Sequence, residues 1–371
     1  MHIVLTVNAA WNIANFRRGL VQALTDDGHR ITVLAPPDDS VADLEALGCA
    51  FVPLEMSVKG LNPLRDLALL LRLRRHFESL KPDVVLGFTI KNNLFGALAA
   101  TPLGIPFIPN VTGLGTAFLS GGALQRVAQG LYRRAFRALP VVFFQNADDR
   151  DLFTARGLVR EGQARLLPGS GIDLDRFAPA AWPVDGPTTF LMIARLLRDK
   201  GVLEYVEAAR RLRSAGRDVR FRLLGAAGSA NRTAITREEV AVWEAEGIID
   251  YLGTAPDVRP HIAEAQCVVL PSYREGAPRT LIEAAACARP VIATDVPGCR
   301  AVVEDGRTGL LCAARSGESL AWACMAFLDL PQEARIAMGA AGRAKMAAEF
   351  DERLVAEGYL TAIRRVAGQA S

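Results

Sequence analysis

Thirteen short apolar runs, many of them rich in β-branched residues, are spaced along the chain, with helical periodicity in the stretches between. In the first half they cover 3–7, 31–35, 49–53, 84–88, 107–111, 141–145 and 165–167. In the second half they cover 189–194, 220–224, 249–252, 267–270, 290–294 and 309–312. Helical patterns lie between them, for instance over 16–25, 64–80, 202–214 and 316–328. Unbroken apolar runs, unlike alternating ones, suit strands buried on both faces. Regular alternation of strand and helix implies parallel sheets covered by helices on both sides. With 371 residues, half of them hydrophobic, the chain is long for one core and sufficient for two. The predicted fold class is α/β: two doubly wound, Rossmann-like domains facing across a cleft. The first is expected over 1–170 and the second over 188–345. A linker over 171–187, in a stretch rich in Gly, Pro and Asp, joins them, and a C-terminal helix over 346–371 is placed to cross back to the first.

In open α/β sheets ligands bind beyond the carboxyl ends of the strands, so the loops after the strands are where chemistry is expected. The most informative is Glu275-Gly-Ala-Pro-Arg-Thr-Leu-Ile-Glu283, which runs off the apolar stretch 267–271. Pro278 suits the first turn of a helix, where its missing N–H costs nothing. The turn then presents free backbone N–H groups and a positive dipole end to a ligand. Glu275 in the loop and Glu283 on the helix are placed to grip one elongated ligand at two hydroxyl groups. An alternative stands beside this: Thr280 and Glu283 have the spacing of a capping box, which would occupy Glu283 with a backbone donor.

After the strand at 189–194 comes Arg195-Leu-Leu-Arg-Asp-Lys200-Gly201. An Arg fork and a Lys point charge on one strand-to-helix loop suit a diphosphate, although loop cations are usually just solvated. The loops at Gly225–Gly228 and Gly113–Gly115 let the backbone approach a ligand. The second lacks the third glycine of a dinucleotide fingerprint, which leaves a dehydrogenase with little support. Lys91-Asn92-Asn93 follows another strand and offers an amine and two amides to a phosphate or to sugar hydroxyls; helix capping by either Asn is the plainer alternative. The four histidines form no cluster, and no Ser-His-Asp set is legible.

Net charge is only +3, which argues against a generic polyanion binder. Between Lys59 and Arg137, however, eleven Lys/Arg stand against three Asp/Glu, a local excess suited to an anionic surface. A helix over 123–139 carries Leu124, Val127, Ala128, Leu131, Ala135 and Leu139 as one stripe, expected to pack on the sheet. Arg126, Arg133, Arg134 and Arg137 lie away from that stripe, outward. With the apolar loop 113–122 before it, including Phe118 and Leu119, this helix suits an anionic membrane surface. No apolar run of about eighteen residues exists, so no membrane span is expected, and the N-terminus reads as a strand and not as a signal peptide. Six scattered cysteines without paired short spacing suit buried thiols in a reducing compartment and not a metal site. The expected location is the cytoplasmic face of a membrane.

Together, the Glu275…Glu283 segment, Arg195 with Lys200-Gly201, the segment Pro168-Gly-Ser-Gly-Ile-Asp-Leu-Asp-Arg-Phe177 and Asp295-Val-Pro-Gly298 resemble the retaining, nucleotide-sugar-dependent glycosyltransferases of GT-B fold. Lys91-Asn92-Asn93-Leu-Phe-Gly96 and Thr112-Gly-Leu-Gly115 resemble a bacterial subgroup acting on undecaprenyl-diphosphate-linked sugars. The resemblance implies a UDP-sugar donor and a polyprenyl-diphosphate-linked sugar acceptor, with neither metal nor nucleic acid required. It implies that Arg195 and Lys200 hold the donor diphosphate, Glu275 the transferred sugar and Glu283 the ribose diol. Gly276 and Ala277 would contribute backbone N–H groups, and Gly225, Pro278 and Thr280 would line the donor site. Asn12, Lys91, Asn92, Asn93, Thr112 and Gly113 would face the acceptor. Two departures fall on the acceptor side. Asn8-Ala-Ala-Trp-Asn12 stands where many relatives carry paired glycines, and Thr112 lies near the place of a histidine in many of them. A UDP-sugar epimerase of the same fold, or a non-catalytic subunit binding sugar nucleotide or lipid, are the alternatives. Donor sugar, linkage and oligomeric state are not legible.

Overall fold

The computed structural model describes residues 1–57, 60, 62–114, 122–229, 231 and 233–368. It divides into two compact units, one formed by 1–171 with 352–371 and the other by 172–351.

The first unit holds a seven-stranded sheet, all parallel, in the order β3-β2-β1-β4-β5-β6-β7. Its strands are β1 (His2–Thr6), β2 (Arg30–Ala35), β3 (Ala50–Pro53), β4 (Val84–Phe88), β5 (Phe107–Val111), β6 (Val142–Phe144) and β7 (Ala164–Leu166). The strand order turns between β1 and β4, where a doubly wound sheet opens a crevice at its carboxyl edge. Every residue of β1, β4 and β5 is buried, because helices cover both faces. On one face Ile3, Leu5, Leu86 and Ile108 join Val21, Tyr359 and Ile363; on the other Val4, Val85 and Phe107 join Leu69, Leu73 and Phe136.

The second unit holds six parallel strands in the order β10-β9-β8-β11-β12-β13. These are β8 (Thr188–Ile193), β9 (Val219–Leu224), β10 (Asp250–Tyr251), β11 (Cys267–Leu270), β12 (Val291–Thr294) and β13 (Gly309–Cys312). Here too the order turns, between β8 and β11, and two apolar layers sandwich the sheet.

Two expectations about the joins are corrected. The stretch 171–187 is not a free linker: Ile172 and Phe177 are buried in the second core, and two arginines bind its backbone. Arg343 donates to the carbonyls of Leu174 and Phe177 at 3.0 and 2.7 Å. Arg289, 1% exposed, donates to Ala180 at 3.0 Å, to Ala181, and to Ile262 and Ala263 at 3.2 and 2.8 Å. Nor is 346–371 one helix. The helix Gln332–Glu349 stops at Phe350, which is buried in the second core, and Asp351 pairs with Ile172 as an isolated bridge. A new helix, Glu352–Ala367, then belongs to the first unit. There Tyr359 accepts a hydrogen bond from Asn110 Nδ2 at 2.8 Å, and Arg364 pairs with Asp27 at 2.9 Å.

Arg289 is a buried cation satisfied by carbonyl oxygens. Replacing it with Met keeps bulk but leaves those acceptors without their donor, at about 1–3 kcal/mol for each group left unsatisfied. Arg289→Met is expected to lower the stability of the second unit by at least ~3 kcal/mol. Urea unfolding followed by tryptophan fluorescence checks this; an unchanged midpoint contradicts it.

Candidate active site

Four loops at the carboxyl edge of the second sheet are tied to one another. The loop after β8 turns into the helix Val202–Ser214 through Gly201, whose φ of +77° is costly for a side chain. A Cβ at Gly201 would strike the Pro271 carbonyl, and one at Gly225 would strike that of Ala194. The loop after β11 is fastened to the first by Tyr273 N donating to Asp199 O at 3.0 Å. The helix Arg279–Ala286 is fastened by Thr280 Oγ1 donating to Ile193 O at 3.0 Å. The loop after β12 closes on the same place, since a Cβ at Gly298 would meet the carbonyls of Glu275 and Gly276.

This framework sets the charged groups. Lys200 Nζ forms an ion pair with Glu275 Oε1, with only 24% and 12% of the two side chains exposed. Arg195, from the same loop as Lys200, is exposed and makes no side-chain hydrogen bond or ion pair among the described residues. Its guanidinium is a free fork on the loop that also carries the paired lysine. Glu283 pairs with Arg279, one turn earlier on the same helix, at 2.8 Å. Burial pushes the Glu283 carboxyl above its ordinary range, while Arg279 and Arg176 oppose the shift. Tyr273 donates to Glu204 at 2.6 Å; burial and that carboxylate push its phenol up to about 12.

The capping-box alternative for Glu283 does not survive. Pro278 is the N-cap residue, one position before its expected place, and no side chain caps the helix. Thr280 lies inside the helix with its hydroxyl turned to Ile193, so it offers no box partner. Arg279 was missed in the sequence, although its spacing of four from Glu283 is a recognisable helical pairing.

In the first unit, Asn8, Met56, Thr89, Ile90, Lys91, Thr112 and Gly113 line a recess of about 290 Å³ at the turn of strand order. Lys91 reaches Asp66 at 2.7 Å. Thr89 has a φ of +69°, a region a β-branched residue rarely enters, and such strain gathers at working sites. Two expected acceptor contacts, Asn92 and Asn93, are corrected here. Asn92 is fully buried: its amide donates to Thr6 Oγ1 at 2.8 Å and accepts from Thr89 Oγ1 at 3.0 Å. Asn93 is buried as well and donates to Asn110 O at 2.7 Å. Neither caps the helix Ile90–Ala100, whose N-cap is Thr89. Asn12 accepts from Arg17, a buried cation stacked 4.0 Å over Phe88. Asn92 and Asn93 serve the fold, with amide groups carried into the core and bonded there, while Asn12 is half-buried. Lys91, Thr112 and Gly113 do line the recess; Gly115, Phe118 and Leu119 lie outside the described residues. Among the described residues no three His, Cys, Asp or Glu side chains gather to hold a metal ion.

Residues 187–329 match the family model described as Glycosyl transferases group 1, and residues 13–169 match that of the Glycosyl transferase 4-like domain. The N,N'-diacetylbacillosaminyl-diphospho-undecaprenol alpha-1,3-N-acetylgalactosaminyltransferase of Campylobacter jejuni is 28% identical over 383 residues, covering 99% of either chain. The D-inositol 3-phosphate glycosyltransferase of Pseudarthrobacter chlorophenolicus is 36% identical over 183 residues, 46% of this chain and 43% of that one. Among solved structures, sucrose-phosphate synthase from Thermosynechococcus elongatus superposes with a TM-score of 0.80 over the whole of both chains at 20% identity. Anabaena HepE in complex with UDP and glucose gives 0.80 over 98% of this chain and 100% of its own, at 18% identity. These two likenesses speak for the fold alone. With glycosyl transferase models matching both halves and two parallel α/β units beneath them, the chain belongs to the glycosyltransferases of GT-B fold.

Proposed function

We propose that this glycosyltransferase moves a sugar, an N-acetylhexosamine or a hexose, from a UDP-sugar to a saccharide carried on undecaprenyl diphosphate, with retention of configuration and without a metal. The observation that carries the donor half is the gathering of Arg195, Lys200, Glu275 and Glu283 at one edge of the second sheet, held by the Thr280–Ile193 tether. The lipid-linked acceptor is supported by the activity named for the Campylobacter jejuni relative, which aligns over nearly the full length of both chains. In this reading the bond from the sugar's anomeric carbon to the donor phosphate oxygen breaks, and a bond to the acceptor hydroxyl forms on the same face. The acceptor proton passes to the leaving phosphate, so no dedicated side-chain base is needed. Arg195 and Lys200 meet the charge that develops on the diphosphate, a role in which preorganised charge contributes most. Glu275, paired with Lys200, turns its remaining lone pairs to the hydroxyls of the transferred sugar. The recess around Lys91 in the first unit is the proposed acceptor end.

The deciding experiment is a screen of nucleotide sugars against a synthetic polyprenyl-diphosphate sugar, scored by mass spectrometry. Transfer from a UDP-sugar is expected. Epimerised donor without transfer would overturn the reading, as would binding without turnover across the panel.

Arg195→Ala and Lys200→Ala are each expected to lower turnover by roughly a hundredfold, about 3 kcal/mol of transition-state stabilisation, with thermal melting little changed. Wild-type turnover in both variants would remove the diphosphate assignment.

Attachment to an anionic membrane is part of the proposal, and its surface differs from the expected one. The helix Gly122–Phe136 does not bury its whole stripe: Tyr132, Ala135 and Phe136 are buried, but Leu124 and Val127 are 41% and 68% exposed. The helix Pro63–Leu80 shows three further exposed leucines, Leu64, Leu67 and Leu71, on the face opposite its buried Leu69, Leu73 and Phe77. No described helix is long and apolar enough to cross a membrane. Leucines in the headgroup region give a salt-resistant attachment, and nearby arginines a salt-sensitive one. Sedimentation with anionic vesicles is expected at low salt. The triple change Leu64→Ser, Leu67→Ser and Leu71→Ser is expected to weaken it by about tenfold or more, since each buried leucine is worth ~1.5–3 kcal/mol. Equal binding to neutral and anionic vesicles, or none at all, would contradict the attachment.

A further inference from the structure

The ion pair within the helix Arg279–Ala286 is arranged against the interests of the helix. Arg279 occupies the first turn, and that turn holds no acidic residue. A cation there faces the positive end of the helix dipole. The order is also the weaker one for a pair spaced by four, which prefers the acid on the N-terminal side. Helix stability therefore does not account for Arg279. Its contact does: Nε donates to Glu283 Oε1 at 2.8 Å, with the side chains only 20% and 13% exposed.

A carboxylate in that setting loses hydration that favours its charged form. Burial raises the Glu283 pKa, and Arg279 is the largest influence opposing the rise. Other charged or titratable groups face Glu283 too. Arg176 comes from the stretch after β7 and Asp257 from the loop before the helix Arg259–Ala263, while Cys287 ends Glu283's own helix. Asp257 is engaged by Arg259 at 2.6–3.0 Å. Among the described residues, Arg279 is the cation hydrogen-bonded to Glu283. An ionised carboxylate has about four acceptor positions. Arg279 uses one, so two adjacent hydroxyls can still be received.

We infer that Arg279 is a positioning residue for the donor nucleotide: it keeps Glu283 ionised and fixed, so that the carboxylate can accept both hydroxyls of a ribose diol and select a ribonucleoside diphosphate over its 2′-deoxy form. The inference rests on the reading of Glu283 as the ribose acceptor, which the family resemblance implies, and extends it to a residue that acts through Glu283.

The test is calorimetry with UDP and 2′-deoxy-UDP on wild type, Arg279→Met, Arg279→Lys, Glu283→Gln and the double variant Arg279→Met with Glu283→Gln. It is run at about pH 6, 7 and 8.5, so that any loss of affinity on acidification is read directly. The ionised carboxylate is the binding form, so affinity is full above its pKa and lost as pH falls through it. Arg279→Met removes the main opposing influence and raises that pKa further. It is expected to weaken UDP by about tenfold at the lower pH values, to lose most of the preference for UDP over the deoxy form, and to recover as pH rises. Arg279→Lys, which can still pair with Glu283, is expected to keep most of both. In the Glu283→Gln background, Arg279→Met is expected to add little.

An Arg279→Met protein with wild-type preference at every pH overturns the inference. So does an equal loss on both ligands that adds to that of Glu283→Gln, the pattern of direct phosphate contact or of general damage to the fold. A wild-type protein that does not bind UDP, or does not distinguish its deoxy form, overturns the ribose reading of Glu283 and this inference with it.

Discussion

A parallel sheet needs cover on both faces, and each parallel crossover must carry the chain over a face and back to the starting edge. In both units of this protein that requirement decides where everything else lies. Helices cover both faces of each sheet, so the central strands are buried and largely apolar. Every strand also ends at the same edge, which brings together loops that are far apart in the chain. Arg195, Gly225, Glu275 and Gly298 span more than a hundred residues, yet they belong to loops bound by direct contacts. The polar site is thus a consequence of how the apolar layers are covered.

The same requirement explains what was legible in the sequence. The thirteen strands among the described residues were read to within one residue at either end, most plainly the central ones, β1, β4, β5, β11 and β12, whose burial on both faces leaves a nearly unbroken apolar run. Loops after strands could be marked as chemical for the same reason. What failed were polar residues whose partners are remote in sequence. Asn92 and Asn93 sit just past a strand, where a ligand contact is plausible, but their partners are Thr6, Thr89 and Asn110. Thr280 and Glu283 have the spacing of a capping box, but Thr280 lies two residues past the N-cap and Ile193 claims its hydroxyl. Spacing shows which groups are able to meet, and only the tertiary fold decides which partner is taken.

The character of the joins between the units was hidden for a related reason. Gly, Pro and Asp make the stretch after β7 look like a tether, and such composition normally means a flexible join. Arg289 and Arg343 change that, since each is aimed at carbonyl oxygens of the stretch and anchors it to the second unit. The helix Glu352–Ala367 is the converse case. It follows a long helix of the second unit with a break of two residues, yet its apolar face, Val355, Tyr359, Ile363 and Val366, completes the core of the first. The periodicity of one helix runs into the next, so the break shows only in the structure.

Charge balance connects this architecture to the proposed chemistry. Each carboxylate of the Glu275…Glu283 segment is paired with a nearby cation, Lys200 for the first and Arg279 for the second. Breaking up a buried carboxylate and its partner is costly, because it strands a charge away from water. A neutral sugar hydroxyl avoids that cost, since it binds the lone pairs the cation leaves open and the pair stays intact. A phosphate is different: it brings negative charge of its own, and beside the part-neutralised Lys200 it calls for a further cation. Arg195, exposed and unpaired among the described residues, is proposed to supply it. The two halves of a sugar nucleotide thus ask for opposite arrangements, paired carboxylates for the hydroxyls and an unpaired guanidinium for the diphosphate. Both lie on the same edge of one sheet.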